Sequence, residues 1–159
     1  MKPKKIGHSG TLDPFATGML LVALGEATKT VDYAMDSGKV YEFEITWGED
    51  RDTLDVDGKA VKTSDKLPSE NELRDVLTQF TGTISQMPPI YSALKVSGKR
   101  AYELAREGKE VELKERQVEI HSLKLLDFNN KSAWLEVGCG KGFYVRALAR
   151  DICQKLGVC

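Results

Sequence analysis

The spacing of hydrophobic residues along the chain predicts a mixture of strands and helices. Hydrophobic and polar side chains alternate from Tyr41 to Trp47, which is typical of a strand with one buried face. Residues 19–24 are apolar without interruption, which predicts a strand buried on both faces. Two more strands are predicted at 118–126 and 133–137, separated by a turn at Asn129 and Asn130.

Four segments carry helical spacing. The first begins at Glu26 and stops before Gly38. Ser69 and Glu72 form a capping-box pattern ahead of a second helix that ends at Gly82. A short third helix is predicted at 100–107. The fourth precedes Gly157 and has an apolar stripe made of Val145, Leu148, Ala149, Ile152 and Leu156.

The remaining residues are mostly polar, and 48–58 are predicted to form a loop that closes at Asp57 and Gly58. The order of elements predicts one α+β domain with a mixed, mainly antiparallel sheet flanked by helices. A length of 159 residues suits a single domain, and 41% hydrophobic residues exclude a largely disordered chain. No apolar run approaches the roughly 18 residues that span a bilayer, so no membrane association is expected.

Charge is unevenly distributed, although the formal net charge is only −1. Residues 39–58 contain seven acidic and two basic residues, so the rest of the chain carries a small positive charge. The positive charge outside residues 39–58 would allow a polyanion to bind there. The three cysteines have no C-x-x-C spacing, and the N-terminal residues lack an apolar signal core, which favours a reduced, cytoplasmic setting.

The sequence offers little for a metal or phosphate site. Residues 55–58 resemble part of a calcium loop, but Thr53 and Ser64 stand where acidic ligands would be needed. The glycines at 138–142 lack both the first glycine of a phosphate loop and the hydroxyl residue after Lys141. We therefore expect no metal site.

Residues 7–18 concentrate three glycines, a proline, a histidine and an acid in twelve positions. Pro14 favours an extended backbone at Asp13, and the glycines permit tight turns. Asp13 could be a fixed nucleophile at a cleft, or it could simply open an Asp-Pro turn. The residues alone favour the turn, because Asp-Pro turns are common.

Five ordered motifs resemble the TruB family of tRNA pseudouridine synthases. The first is Gly7-His8-Ser9-Gly10-Thr11-Leu12-Asp13-Pro14 with its continuation to Lys29. The others are the tyrosine-bearing segment 39–43, the acidic segment 52–58, the segment 86–95 with 98–102, and the arginine-bearing segment 141–151. The resemblance extends from about Lys4 to the C-terminus. It implies a pseudouridine-synthase-like catalytic domain.

The resemblance implies isomerisation of a uridine in the T-loop of tRNA, by cleavage of the N-glycosidic bond and rejoining of the base through C5. Asp13 matches the catalytic aspartate, a nucleophile, and Arg146 matches the arginine that pairs with it. Tyr41 matches the tyrosine that stacks on the flipped base and assists proton transfer at C5. Tyr144 matches a pocket residue, and His8 matches the histidine that fills the space of the extruded base.

Lys95, Lys99 and Arg100 belong to a basic segment with interleaved tyrosines, which we interpret as a clamp for the RNA backbone. Pattern alone allows other interpretations. The basic segment could be a solvated face, Arg146 a solvated helix arginine, Tyr144 a boundary aromatic, and Tyr41 part of the core, since it shares a strand face with Phe43.

The resemblance also implies no cofactor, tRNA bound through its T-arm as the partner, and a monomer. Against the family pattern, residues 1–159 correspond to a catalytic domain shortened at both ends, without the C-terminal RNA-binding domain. Two alternatives follow. One is an inactive RNA-binding or tRNA-chaperone remnant of the fold, and the other is an RNA-guided relative, which the bacterial-looking motifs disfavour.

Overall fold

The computed structural model describes residues 4–96 and 98–159, and it contains ten strands and four α-helices. The strands are β1 (Ile6–His8), β2 (Val22–Leu24), β3 (Lys39–Thr46), β4 (Glu49–Arg51), β5 (Ala60–Thr63), β6 (Gly82–Gln86), β7 (Lys95–Val96), β8 (Lys99–Arg100), β9 (Arg116–Phe128) and β10 (Ser132–Cys139). The helices are α1 (Val31–Met35), α2 (Glu70–Leu77), α3 (Ala101–Arg106) and α4 (Val145–Leu156). The strand pairs β1-β2, β4-β5, β6-β9, β7-β8 and β9-β10 are antiparallel, which confirms the predicted α+β class.

The chain divides into two compact units, one that ends at Lys39 and one made of Val40–Cys159. In the first unit, β1 and β2 form an antiparallel pair in which Ile6 lies opposite Leu24. A 3-10 helix at Gly25–Thr30 runs directly into α1. The helix predicted from Glu26 is therefore confirmed, although its first half is a 3-10 helix.

The second unit is built on a four-stranded sheet in the order β3-β10-β9-β6. The predicted alternation holds along β3, where Ile45 is buried while Glu42 and Glu44 are exposed. Helices α2 and α4 pack against each other, and their buried faces join the sheet in one hydrophobic core. The largest fully buried members of that core are Leu73, Ile120, Leu135, Leu148 and Ile152.

Local sequence signals explain where the helices of the second unit begin and end. The Ser69 hydroxyl accepts a hydrogen bond from the Glu72 amide, and the Glu72 carboxylate accepts one from the Ser69 amide, so the predicted capping box is present. The Ser69 amide and the Ser69 hydroxyl both donate to the Glu72 carboxylate, and these two bonds lower the pKa of Glu72. Gly157 caps the end of α4 directly after Leu156, and its φ of 65° is the left-handed conformation that glycine adopts readily.

Three expectations about strands and loops were wrong or incomplete. The segment predicted as a doubly buried strand at 19–24 forms only the short β2, and Met19, Leu21 and Val22 are exposed. The segment predicted as a loop at 48–58 contains β4, which pairs with β5 in an antiparallel hairpin. Strand β6 was not predicted, although its pairing with β9 forms one edge of the main sheet.

No helix in the described part of the chain combines the length and the apolar character needed to cross a bilayer. The side chains of Cys139, Cys153 and Cys159 are buried thiols. Burial raises the pKa of the Cys153 thiol to about 12, with smaller contributions from Asp50 and Cys159.

Candidate active site

Arg146, which the sequence marks as a catalytic candidate, is the second residue of α4 and is largely buried. One guanidinium nitrogen lies 3.1 Å from the Asp55 carboxylate and donates to the Thr53 carbonyl oxygen at 2.9 Å. The other terminal nitrogen donates to the Tyr91 carbonyl oxygen at 3.0 Å. The side chains of Arg146 and Asp55 are only 13% and 10% exposed. Arg146 is thus a buried member of an ion pair, and the interpretation as a solvated helix arginine is wrong.

The hairpin loop that carries Asp55 is itself held by polar contacts. The Thr53 hydroxyl donates to the Asp55 carboxylate at 2.6 Å, and the Asp57 amide donates to the same oxygen. Leu54 has a φ of 60°, and among the described residues it is the only one other than glycine with a positive φ. A leucine in this conformation is strained and persists only where its surroundings fix it. The contacts of Asp55 and Arg146 supply such surroundings.

Gly58 lets the two sides of this loop approach closely. A Cβ at position 58 would overlap the Thr53 hydroxyl and would lie 2.6 Å from an Asp52 carboxylate oxygen. The Arg51 guanidinium donates to the Gly58 carbonyl oxygen at 2.9 Å and holds the loop closed from the other side. The acidic segment of the sequence is therefore a closely packed hairpin end that presents Asp55 to α4.

Tyr144 immediately precedes α4 and has an extended backbone. Its main chain is bound on both sides by the side-chain amide of Gln86, through N–H to Oε1 at 2.9 Å and C=O to Nε2 at 3.1 Å. The Tyr144 side chain is partly exposed, as a boundary or pocket aromatic would be. The structure thus brings Tyr144 and Arg146 together at the start of one helix.

Tyr41 lies on β3 and is half-buried against the hydrophobic core. Burial raises the pKa of its phenol, and the neighbouring Cys139 raises it further. The hydroxyl is therefore protonated at neutral pH, and it can donate a hydrogen bond. The core interpretation of Tyr41 holds only in part, because the ring keeps an accessible surface.

Asp13 and His8 belong to the first unit. The Ala16 amide donates to the Asp13 carbonyl oxygen at 2.9 Å, so Asp13 and Pro14 open a β-turn, as the residues alone indicate. This turn lies on the connection between β1 and β2, and the Asp13 side chain is partly exposed. His8, the last residue of β1, is exposed, and its Nδ1 donates to the Gly10 carbonyl oxygen. The pairing of Asp13 with Arg146 stays a prediction.

The basic segment forms the small β7-β8 hairpin and the start of α3, and its side chains are exposed. The Lys99 ammonium lies 3.5 Å from Glu107, and the Arg100 guanidinium donates to the Ala93 carbonyl oxygen at 2.9 Å. A hydrogen bond from Lys109 lowers the pKa of Glu107, and Lys99 lowers it further. Lys95 is exposed on the same hairpin. These contacts are compatible with either the clamp or the solvated face.

Within residues 4–96 and 98–159, no three His, Cys, Asp or Glu side chains meet as metal ligands would. The Asp55 carboxylate binds both the Arg146 guanidinium and the Thr53 hydroxyl. These contacts hold the Arg146 side chain in place. The arrangement offers a fixed pair of opposite charges, the Arg146 guanidinium and the Asp55 carboxylate, at the start of α4.

Comparison with known sequences decides the family. Residues 1–145 match the profile of the TruB family pseudouridylate synthase (N terminal domain). The chain belongs to this family. The TruB resemblance inferred from the five motifs is thereby confirmed.

Curated TruB relatives are similar along nearly the whole chain. The chain is 57% identical over 157 residues to the tRNA pseudouridine synthase B of Rhizobium johnstonii, which covers 98% of the chain and 51% of the relative. It is 56% identical over 155 residues to the protein of the same name from Agrobacterium fabrum, with 97% and 49% covered. The chain thus spans about half the length of the curated relatives it matches.

Solved structures agree with the fold. A chain in the crystal structure of a Cbf5-Nop10-Gar1 complex aligns with a TM-score of 0.69 and 28% identity, covering 98% of this chain and 37% of that chain. A chain in a structure of an H/ACA ribonucleoprotein bound to a substrate RNA with 2'-deoxyuridine aligns with a TM-score of 0.65 at 24% identity. The second similarity supports the fold alone.

Sequence reasoning missed two residues of this site. Asp55 stood in the acidic segment of the resemblance, but no pattern indicated that it would bind Arg146, 91 positions later. Gln86 began another of the motifs and was given no role. In both cases the available signal was a polar residue beside a proline or glycine turn, which is common in loops of every kind.

Proposed function

We propose that this chain converts uridine to pseudouridine in tRNA. The observation that carries the proposal is the buried guanidinium of Arg146, bound by Asp55, Thr53 and Tyr91 at the start of α4, in a chain of the TruB family. The names of the similar curated relatives support tRNA as the substrate. The T-loop uridine and recognition through the T-arm are further parts of this proposal.

The proposed reaction is an internal rearrangement with no net oxidation. The bond between N1 of uracil and C1′ of ribose breaks, the base turns, and a bond forms between C5 and C1′. The hydrogen at C5 leaves as a proton, and N1 gains one. Asp13 is the proposed nucleophile, and Arg146 is its proposed partner, because a nearby positive charge keeps a carboxylate ionised and thus nucleophilic. No step calls for a cofactor.

The aromatic residues have proposed roles in holding the base. Tyr41 stacks on the extruded uracil, and base stacking on an aromatic ring contributes about 1–3 kcal/mol. Because burial raises its pKa, the Tyr41 phenol binds the base in its neutral form. Tyr41 also assists the proposed proton transfer at C5. Tyr144 lines the pocket, and His8 occupies the space that the base leaves.

The proposed RNA contacts of the second unit are Lys95, Lys99 and Arg100. Their exposure on the β7-β8 hairpin supports contact with phosphates. Release of Lys99 from Glu107 would make its ammonium available to RNA. We also propose that the chain acts as a monomer, since the reaction needs no second active centre. The buried thiols of Cys139, Cys153 and Cys159 support a reducing, cytoplasmic setting.

Tritium release from tRNA labelled at uridine C5 tests the function, because the rearrangement must expel that hydrogen. We expect release by the wild type and its loss in Asp13→Asn, which keeps the size of the side chain and removes its charge. Asp32→Asn, an exposed change in α1 of the same unit, is the matched control and should release tritium as the wild type does.

Binding of labelled tRNA, measured beside the release, separates loss of chemistry from loss of affinity. Asp13→Asn should bind tRNA with wild-type affinity. A folded wild type that binds tRNA and releases no tritium would contradict the proposal and support the binding-only alternative. Equal release by the wild type and Asp13→Asn would remove Asp13 from the mechanism.

A further inference from the structure

Gln86 carries a buried polar side chain. It is the last residue of β6, it is only 1% exposed, and it is one of the four buried polar or charged residues of the described chain. A buried amide is costly unless its groups are hydrogen-bonded. The placement of Gln86 therefore needs an explanation in terms of its partners.

Both partners of the Gln86 amide belong to a single residue. Its Oε1 accepts from the Tyr144 N–H at 2.9 Å, and its Nε2 donates to the Tyr144 carbonyl oxygen at 3.1 Å. The Tyr144 groups fix which end of the amide is oxygen, because an N–H requires an acceptor and a carbonyl requires a donor. Gln86 thus binds the main chain of Tyr144 as a neighbouring strand would.

Tyr144 lies directly before the first residue of α4, and its side chain makes no capping hydrogen bond to the helix. Its carbonyl oxygen also accepts from the Leu148 amide at 3.1 Å, so the bond from Gln86 fixes the same carbonyl that starts the helix. Arg146 follows two residues later. Orientation of the Tyr144 peptide therefore sets the direction in which both side chains leave the backbone.

The segment that follows Gln86 also contacts α4, through its main-chain carbonyl groups. The Tyr91 carbonyl oxygen accepts from Arg146 at 3.0 Å, and the Met87 carbonyl oxygen accepts from Arg150 at 2.9 Å. Pro88 and Pro89 between them are buried. These carbonyls contact the ends of long side chains, whereas Gln86 contacts the backbone itself.

We propose that Gln86 is a positioning residue, whose side-chain amide holds the Tyr144 main chain so that Tyr144 and Arg146 point toward the substrate. The catalytic part of this inference rests on the proposed function. Position 86 needs one donor and one acceptor at the reach of a glutamine. A methionine has the length and neither group, and an ionised carboxylate has two acceptors and faces the Tyr144 carbonyl oxygen.

Steady-state kinetics of tritium release test the inference. Gln86→Met should lower kcat by about 10²-fold with little change in KM, because misplacement of about 1 Å costs a factor of that size. Gln79→Met, at an exposed position in the 3-10 helix Thr78–Phe80, is the matched control and should leave both constants unchanged. Assays are made below the unfolding temperature of each variant.

Gln86→Glu adds a test within one protein. When protonated, the introduced carboxyl donates to the Tyr144 carbonyl oxygen and accepts from its N–H, as the amide does. When ionised, it cannot donate. The ratio of variant to wild-type kcat should therefore rise as pH falls from about 8 to 6, the range that burial gives a carboxyl. A purely structural role would change the unfolding temperature without this recovery.

Hydrogen exchange of the Tyr144 amide gives a readout that needs no turnover. The amide should exchange faster in Gln86→Met than in the wild type after correction for intrinsic rates, because methionine offers no acceptor to the Tyr144 N–H. Unchanged exchange, or wild-type kcat in Gln86→Met, would overturn the inference while leaving the proposed function standing. Absence of tritium release by the wild type would instead overturn the proposed function and the catalytic part of the inference, with exchange still deciding whether Gln86 holds Tyr144.

Discussion

The two units of the chain differ in how their apolar side chains are used. Between Val40 and Cys159, Leu73, Leu135 and Leu148 are fully buried in one core. In the described part of the first unit no hydrophobic side chain is buried, and Met19 is 91% exposed. Main-chain hydrogen bonds hold this unit together instead, and one of them runs from the Ser9 amide to the Leu21 carbonyl oxygen.

This difference separates two kinds of candidate site residue. Arg146 lies on α4 and Tyr144 directly before it, and the inner face of this helix is part of the core. Gln86 binds the Tyr144 main chain, and Asp55 binds the Arg146 side chain. Asp13 lies on a turn between two three-residue strands. Stability and site geometry are therefore coupled in the second unit, and substitutions should reveal this coupling.

The largest effect is expected from truncation of the core of the second unit. Leu148→Ala should lower the free energy of unfolding by about 4 kcal/mol, since it removes a fully buried side chain from α4 and leaves a cavity. Met19→Ala, the counterpart in the first unit, should change it by less than about 0.5 kcal/mol. Urea unfolding followed by circular dichroism measures both. Equal losses would show that the two units do not differ in this way.

Removal of the buried guanidinium should have the next largest effect. Arg146→Met should cost about 3 kcal/mol, because it leaves the Asp55 carboxylate buried without its cation. Arg116→Met, at an exposed position on β9, is the control and should cost less than about 0.5 kcal/mol. The same unfolding experiment applies. A small loss in Arg146→Met would mean that the Asp55 pair contributes little to the fold.

A glycine in each unit offers a comparison of loop packing. Gly58→Ala should cost about 2 kcal/mol, because its Cβ would overlap the Thr53 hydroxyl and force the loop apart. Gly10→Ala should be nearly neutral, since the nearest atom to its Cβ is 4.0 Å away, on Leu20. Thermal unfolding of both variants is the measurement. A neutral Gly58→Ala would show that the hairpin end relaxes easily.

Most regular elements of the second unit could be predicted from sequence, because their signals are local. The alternation along β3, the capping box at Ser69 and the stripe of α4 all depend on residues a few positions apart. Hairpin β4-β5 was missed because polar contacts such as those of Arg51 stabilise it, and these leave no hydrophobic period. The prediction of a doubly buried strand at 19–24 was wrong, because an apolar run shows that a segment is hydrophobic and does not show that other elements cover it.

The site was predicted less completely than the fold. Arg146 and Tyr144 were identified through the family resemblance, and their positions at the start of α4 follow from the helix signal. The partners of these residues, Asp55 and Gln86, come from segments more than 50 positions away. Such contacts depend on how strands and helices pack, and no local pattern encodes them.

The smallest effect concerns Cys153, which reports on the second unit alone because the sequence has no cysteine before Cys139. Burial raises the pKa of this thiol to about 12, so in the folded protein it keeps its proton in mildly alkaline solution, while in the unfolded chain it ionises near its ordinary pKa. Folding stability should therefore fall as pH rises above the unfolded pKa, by about 1 kcal/mol between about pH 9 and pH 10, and the fall should continue toward the folded pKa. Cys153→Ala should lack this component, so the difference between the two unfolding curves at each pH isolates it from other titrating groups. Parallel pH dependences would mean that the thiol is as accessible in the folded second unit as in the unfolded chain, and the contrast between the two units would then be smaller than burial indicates.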